Sequence, residues 1–280
     1  MILEAEHFSL ARTLNCGQAF RWKEQKDGSW FGVVKYRPLF IRQDGCVLEL
    51  SAPDADSAFW SGYFALDRDY CEMEGLLASD PQTAPALSCS EGIRILRQDP
   101  YEALISFVIS QNNNVKRISG IIEKLCAAYG EPGEHMGARY FAFPKCEALA
   151  NATAQHLQEL GAGYRAPYIV GCARRIADGY DLNALRAMTF DQAKKELIGF
   201  KGVGPKVAEC VMLFSLGFDT AFPVDVWVNR ISLWLYPGEN GRAAAKEAAL
   251  RFGDWAGAAQ QYLFHYARTV GLNPTEDKQA

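Results

Sequence analysis

A chain of 280 residues, 49% apolar and 22% charged, is long enough for one sizeable core or two and has the make-up of an ordinary globular protein, not of a disordered one. No apolar run approaches the roughly 20 residues that cross a bilayer, and Met1-Ile-Leu-Glu-Ala-Glu-His7 lacks the basic start and apolar stretch of a secretion signal. An intracellular protein without membrane contact is therefore expected. The net charge of −4 gives no global attraction to nucleic acid, but DNA binding needs only a local basic face. Lys116, Arg117, Lys124, Arg165, Arg174, Arg175, Lys194, Lys195, Lys201, Lys206 and Arg230 lie mid-chain and supply the charge for one; by charge alone, solvated helix faces explain them equally well. The eight cysteines and four histidines are scattered, without a Cys-x-x-Cys pair. That argues against structural zinc and for reduced thiols.

Residues up to about 85 read as strand. Phe20-Arg-Trp-Lys-Glu, Trp30-Phe-Gly-Val-Val-Lys-Tyr, Leu39-Phe-Ile-Arg and Cys46-Val-Leu-Glu-Leu are short aromatic or β-branched runs, and Asp27-Gly28 and Asp44-Gly45 are hairpin signals. Residues 81–90, rich in Pro, Ala and Ser, read as a linker. Asp99-Pro100-Tyr101-Glu102 then opens a helix: an Asp cap, Pro in the first turn and Glu placed for a capping box. Helical periodicity follows at about 115–128, 153–160, 165–178, 190–198, 205–217, 225–235, 242–252 and 255–270. The fold class is α+β: an antiparallel β domain over 1–88, then an all-helical domain over 89–280.

Leu197-Ile-Gly-Phe-Lys-Gly-Val-Gly-Pro-Lys206-Val-Ala-Glu-Cys210 is the most informative stretch. One helix ends near Ile198-Gly199, Gly202 and Gly204 make a tight turn, and Pro205 starts the next helix where its missing N–H is not needed. This helix-hairpin-helix, about residues 190–217, presents free backbone amides that can bind phosphate without reading sequence. Lys206, in the first turn of the second helix, is poorly placed for stability beside the helix's positive end, whose field favours the neutral, nucleophilic amine. A lysine that only touches phosphate fits the hairpin equally well. Asp225, in Pro223-Val-Asp-Val-Trp227, is first an N-cap. Some twenty residues after Gly-Val-Gly-Pro-Lys, it is also a carboxylate suited to stabilising a cationic sugar or moving protons at an amine.

Gly-Val-Gly-Pro-Lys followed by Pro-Val-Asp resembles the hairpin-plus-aspartate DNA glycosylases, and within them the 8-oxoguanine DNA glycosylases with AP lyase activity. Asn15-Cys-Gly-Gln-Ala-Phe-Arg-Trp22, Leu96-Arg-Gln-Asp-Pro100, Gln111-Asn-Asn-Asn-Val-Lys-Arg117, Gly161-Ala-Gly-Tyr-Arg-Ala-Pro-Tyr168 and Gln260-Gln-Tyr-Leu-Phe264 extend the resemblance in order over about residues 8–268. It implies duplex DNA with an oxidised guanine as partner, a monomeric enzyme, Lys206 as nucleophile at C1′ of an everted nucleotide, and Asp225 as its carboxylate. The product is an imine that permits β-elimination. Asn112 would fill the gap in the duplex and Tyr164 wedge beside it, with Arg117 and Arg165 on the widowed cytosine. Gly17 would offer its carbonyl to the N7–H that distinguishes 8-oxoguanine. Cys210 and Phe264 would sandwich the lesion, and Gln260 would meet its pairing edge.

Gly202 and Gly204 would serve the phosphate-binding turn, and the carbonyls of Ile198, Phe200 and Val203 would hold a monovalent cation. No other cofactor is implied, since the tail from Gly271 to Ala280 carries no cysteine for an iron–sulfur loop. Trp227 departs from the family pattern, standing where a phosphate-contacting histidine is usual; Gln111 and Pro167 are smaller departures. Two rivals remain. An alkylpurine glycosylase of the same fold would activate water and lack the lysine. A DNA-binding scaffold would have no use for Asp225 or the pocket residues.

Overall fold

The computed structural model describes residues 1–236 and 241–271. The N-terminal elements are Ile2–Glu4 (β1), Leu10–Asn15 (α1), Lys23–Glu24 (β2), Trp30–Val34 (β3), Arg37–Asp44 (β4), Val47–Ser51 (β5) and Ser57–Tyr63 (α2). The strands form one antiparallel sheet in the order β1-β5-β4-β3-β2. Both Asp-Gly signals fall at its turns, with Gly28 at φ +80° and Gly45 at φ +58°. Alternation sends Leu39, Ile41, Leu48 and Leu50 to one face, Ile41 opposite Leu50, where they bury against Trp60 and Phe64 at α2.

Strand character stops at Ser51, well before residue 85. Cys71–Ala78 (α3) and Ala84–Ser90 (α4) are helical, so most of the stretch read as a linker is helix. Its small residues permit close packing: Thr83, Ala86 and Ser90 are fully buried, and the Ser90 hydroxyl donates to the carbonyl of Tyr262 at 2.9 Å. Tyr70, Met73, Leu77 and Ile93 all pack into the helical core and not under the sheet.

The remaining elements are Pro100–Ser110 (α5), Val115–Tyr129 (α6), Pro132–His135 (β6), Ala138–Phe141 (β7), Cys146–Ala150 (α7), Ala154–Glu159 (α8), Ala166–Ala177 (α9), Phe190–Ile198 (α10), Pro205–Val211 (α11), Val226–Leu235 (α12), Gly241–Phe252 (α13) and Ala256–Val270 (α14). Every helix expected from periodicity after residue 99 is present. The architecture is α+β, a five-stranded sheet followed by a helical domain. The β6–β7 hairpin was not expected; its four-residue strands carry no apolar alternation, and Met136-Gly137 is no standard turn pair.

Asp99 caps α5, its carboxylate accepting from the amides of Tyr101 at 3.0 Å and Glu102 at 3.1 Å. Glu102 itself does not close a capping box. Its side chain turns to the sheet unit, 3.6 Å from Arg21, and burial pushes its carboxyl up to about 7. Helix α5, buried from Ala103 to Ser110 with Leu104, Ile105, Val108 and Ile109 closed off from solvent, is the rod against which α6, α9 and α11 pack. Among the described residues no helix is long and apolar enough to cross a membrane.

Candidate active site

The hairpin between α10 and α11 is built from local rules. Thr189 and Gln192 form a reciprocal capping box at the start of α10, and Lys194 on α10 meets Glu209 on α11 at 2.5 Å. Gly202 has φ +89°, and a Cβ there would lie 2.3 Å from the ring of Tyr168, so only glycine fits. Gly204 is different. It is the N-cap of α11 at an ordinary φ of −94°, and a Cβ there would meet nothing. The space on its Cβ side is open and, among the described residues, the amides of Gly202 and Gly204 donate no hydrogen bond, so both remain for an anion.

α11 carries Lys206 and Cys210 one turn apart on the same face. Lys206, half-buried, donates to the Ser110 hydroxyl at 3.4 Å and stands 5.4 Å from the Phe107 ring centroid, both groups on α5. Ser110 donates its own proton to the carbonyl of Phe107 at 2.8 Å, which leaves an oxygen lone pair for the amine. Asp225 caps α12 through one oxygen, Oδ1, which accepts from Val228 N at 2.8 Å. Its other oxygen takes no hydrogen bond among the described residues.

Lys206 and Asp225 line two adjoining cavities. The inner slot, about 40 Å³, is also walled by Gly17, Cys210, Gln260 and Phe264. The outer chamber, about 300 Å³, adds Asn113, Trp227 and Arg268 to Lys206, Asp225, Gly17 and Phe264. Thus the two catalytic candidates and the four base-binding candidates, drawn from four separate stretches of sequence, meet in one place. Burial pushes the Cys210 thiol up to about 11, so it meets a ligand as a neutral wall.

Two polar atoms in the slot lack partners among the described residues. Gln260 is 5% exposed, yet its Oε1 accepts no hydrogen bond. The carbonyls on either side of Gly17 are taken, Cys16 O by the Gln261 amide at 2.7 Å and Gln18 O by the Gln98 amide at 2.8 Å, while that of Gly17 accepts none. Gly17 is at φ +87°, and a Cβ would crowd Arg268 at 3.1 Å and Phe264 at 3.5 Å. The buried, unmatched Gln260 Oε1 costs about 1–3 kcal/mol as it stands; together with half-buried Gly17, which lines the same slot and whose carbonyl is uncapped, it makes a site for donors.

Of the expected DNA-contacting residues, Asn112 and Arg117 adjoin in sequence Asn113 and Ile118, which line the outer chamber. Asn112 follows α5 at φ +46°, a conformation that asparagine tolerates better than most residues. Tyr164 is 54% exposed, and its hydroxyl reaches the carbonyl of Gln111 at 3.5 Å. Arg117, on the first turn of α6, is exposed and makes no ion pair among the described residues. Arg165 is not free. It is 3% exposed, its Nε donates to Gln111 O at 2.8 Å, and Nη2 donates to the carbonyls of Gln111 and of Asn112, the latter at 3.0 Å. As it stands, Arg165 splints the loop that carries Asn112.

Under the hairpin, Phe200 O accepts from Val203 N at 3.0 Å. The carbonyls of Ile198 and Val203 accept no hydrogen bond among the described residues, so the trio retains the free lone pairs a monovalent cation needs. No three His, Cys, Asp or Glu side chains converge as a metal site among the described residues. Residues 272–280, expected to lack an iron–sulfur loop, lie outside the described residues. Sequence reasoning missed Ser110, Phe107, Gln261 and Arg268. The first two border the Asn112 motif and the third adjoins Gln260, so proximity was the available signal; Arg268 offered only its spacing of four from Phe264.

Comparison with known proteins shows what the whole chain is similar to. Residues 1–104 match the family model of the 8-oxoguanine DNA glycosylase N-terminal domain, and residues 105–255 match that of the HhH-GPD superfamily of base excision DNA repair proteins. The chain is 33% identical over 260 residues to the N-glycosylase/DNA lyase of Saccharomyces cerevisiae, covering 83% of this chain and 69% of that one. It superposes on MBOgg1 in complex with a low-affinity DNA ligand with a TM-score of 0.93, 38% identity, and coverage of 97% and 96%. For the Clostridium acetobutylicum 8-oxoguanine glycosylase/lyase in complex with DNA containing cytosine opposite 8-oxoguanine, the TM-score is 0.90, the identity 36%, and the coverage 97% and 99%.

Proposed function

The chain belongs to the 8-oxoguanine DNA glycosylase family of the HhH-GPD superfamily and is a bifunctional DNA glycosylase with lyase activity, and from that premise we propose that Lys206 is the nucleophile and that the slot behind it reads 8-oxoguanine everted from opposite cytosine. A stacked base shields C1′ from attack, so the lesion must leave the helix, at a cost of a few kcal/mol. Asn112 and Tyr164, whose hydroxyl reaches the carbonyl of the neighbouring Gln111, are suited to fill and wedge the gap. The turn amides at Gly202 and Gly204 hold the backbone without reading sequence.

The observation that carries the reading is the pair of unmatched acceptors beside the amine. Guanine's pairing edge offers N1–H and N2–H donors to Gln260 Oε1. The N7–H of 8-oxoguanine, which guanine lacks, suits the free carbonyl of Gly17. The normal base would leave that carbonyl buried and unpaired, a penalty of about 1–3 kcal/mol. Cys210 and Phe264 supply the apolar faces between which the purine lies.

In the first step the neutral Lys206 amine forms a bond to C1′ while the glycosidic bond breaks, its electron pair leaving with the base, which takes up a proton. Asp225, with one oxygen free, stabilises the positive charge that develops on the sugar. Opening of the C1′–O4′ bond gives an imine to Lys206. Loss of a C2′ proton then expels the 3′ phosphate with its electron pair, nicking the strand. Arg117 has free donors for the widowed cytosine; Arg165 reaches it by exchanging a loop carbonyl for the base. The carbonyls of Ile198, Phe200 and Val203 suit a monovalent cation that would stiffen the turn.

The test is incubation with duplexes carrying 8-oxoguanine opposite each normal base, with and without borohydride. The expected result is a trapped adduct and fastest excision opposite cytosine. Equal rates against all four partners would remove the cytosine assignment, and release of base without any trappable adduct would remove the amine mechanism.

A further inference from the structure

Arg268 is the one cation in the outer chamber, besides the Lys206 amine, for which the reaction above has no use. Among the described residues it makes no ion pair and no hydrogen bond; its guanidinium carbon lies 5.4 Å from the centroid of the Phe264 ring. Among the described residues the chamber holds a single carboxylate, Asp225, against Lys206 and Arg268. The charge of Arg268 is felt nearby, since burial, Arg12 and Arg268 together hold His265 below the ordinary imidazole range.

The register of α14 says what the guanidinium faces. Gln260, Phe264 and Arg268 are spaced by four, so they share a stripe rising about 6 Å per step, about 12 Å in all. Gln260 walls the inner slot only, Phe264 walls both cavities, and Arg268 walls the outer chamber only. One helix therefore presents an amide at the floor, a ring midway and a cation at the mouth. A nucleotide whose base enters the slot carries its sugar and phosphate outward along the same line. Glycine at position 17 leaves the room that Arg268 occupies, since a Cβ there would sit 3.1 Å from its Nη1.

We propose that Arg268 binds a phosphodiester flanking the everted nucleotide, an assignment that rests on the function proposed above. The chemistry fits: a guanidinium presents a planar fork of donors to phosphate oxygens, and stacking on an aromatic ring fixes its plane. Trp227, another large side chain of the outer chamber, brings no charge. Arg268 adds a second hold on the lesion strand to that of the hairpin turn.

The test compares the wild-type protein, Arg268→Ala and Arg268→Lys for binding to a duplex with 8-oxoguanine opposite cytosine, across a range of salt. A second duplex set replaces the phosphate on the 5′ or the 3′ side of the lesion with an uncharged methylphosphonate. Arg268→Ala should weaken lesion binding roughly five- to tenfold and reduce the slope of log affinity against log salt by about one. Arg268→Lys should keep the slope. One of the two methylphosphonates should weaken the wild type by a similar factor and cost Arg268→Ala nothing more. An unchanged salt slope, or penalties that simply multiply, would overturn the proposal in favour of mere packing on Phe264. Should Arg268→Ala prove unstable, Arg268→Gln combined with the same methylphosphonates separates phosphate binding from packing in the same way. A wild-type protein unable to excise 8-oxoguanine would sink the function instead, so the two failures are distinct.

Discussion

The side-chain amide of Gln111 donates to the carbonyl of Gly202 at 2.9 Å and to that of Val108 at 3.0 Å, and so ties the residue before Asn112 to the turn of the helical hairpin. The probe that fills the duplex and the turn that holds its backbone are thereby one mechanical unit, with Arg165 bracing it from the other side.

Gln111→Ala is expected to slow single-turnover excision of 8-oxoguanine roughly fivefold, on the scale of one neutral hydrogen bond of about 1 kcal/mol. Gln111→Glu keeps the length but has no donor for two carbonyls, so it should be at least as slow. A Gln111→Glu enzyme with the wild-type rate would show that the tie is incidental.

Gln260 provides a separate test, because its unmatched acceptor is a cost in the free protein. Gln260→Leu removes the acceptor at similar volume, so thermal stability should hold or rise by up to about 1 kcal/mol. Excision of 8-oxoguanine should fall at least tenfold. Melting curves and single-turnover rates on one preparation check both halves; a destabilised variant with intact excision would contradict the slot assignment.

Glu102 makes stability depend on pH in a definite direction. Its carboxyl, raised by burial to about 7 from an ordinary 4.5, holds a proton more tightly when folded than when unfolded. Stability from this group is therefore full below about 4.5 and lost as pH rises through about 7. Glu102→Gln removes that dependence, so the melting temperature of the variant relative to wild type should climb between pH 5 and pH 8. A difference that stays flat over that range would mean the Arg21 partner keeps Glu102 ionised throughout.

What the sequence discloses is what short-range physics controls. The Asp99 and Asp225 caps, the Pro205 helix start and the Asp-Gly turns each depend on residues within three or four positions, and each reads directly. Helix α4 did not, because small residues that pack tightly have the same composition as residues that do not pack at all. Within the site, Lys206 and Asp225 stood out by motif, but the Ser110 hydroxyl beside the amine lies 96 positions away. The Arg165 bonds to Gln111 span 54 positions, so nothing local showed that its guanidinium is occupied. The carbonyl of Gly17 came only through the family resemblance; no local pattern shows it, since its freedom follows from which neighbouring carbonyls the glutamine side chains cap.

Cys210 should resist alkylation. With its thiol pushed up to about 11 by burial, little thiolate exists at pH 8. Iodoacetamide should label exposed Cys46 and Cys71 well before Cys210, as peptide mapping would report. Early labelling of Cys210 would mean that the slot opens freely to solvent.

The most direct measurement is to reduce the enzyme with borohydride while it acts on an 8-oxoguanine duplex, digest the product, and locate the DNA-bearing peptide by mass. The account predicts one linkage, to the side-chain nitrogen of Lys206, absent in Lys206→Gln although that variant still binds lesion DNA. A linkage to another amine, or efficient trapping by Lys206→Gln, would contradict it.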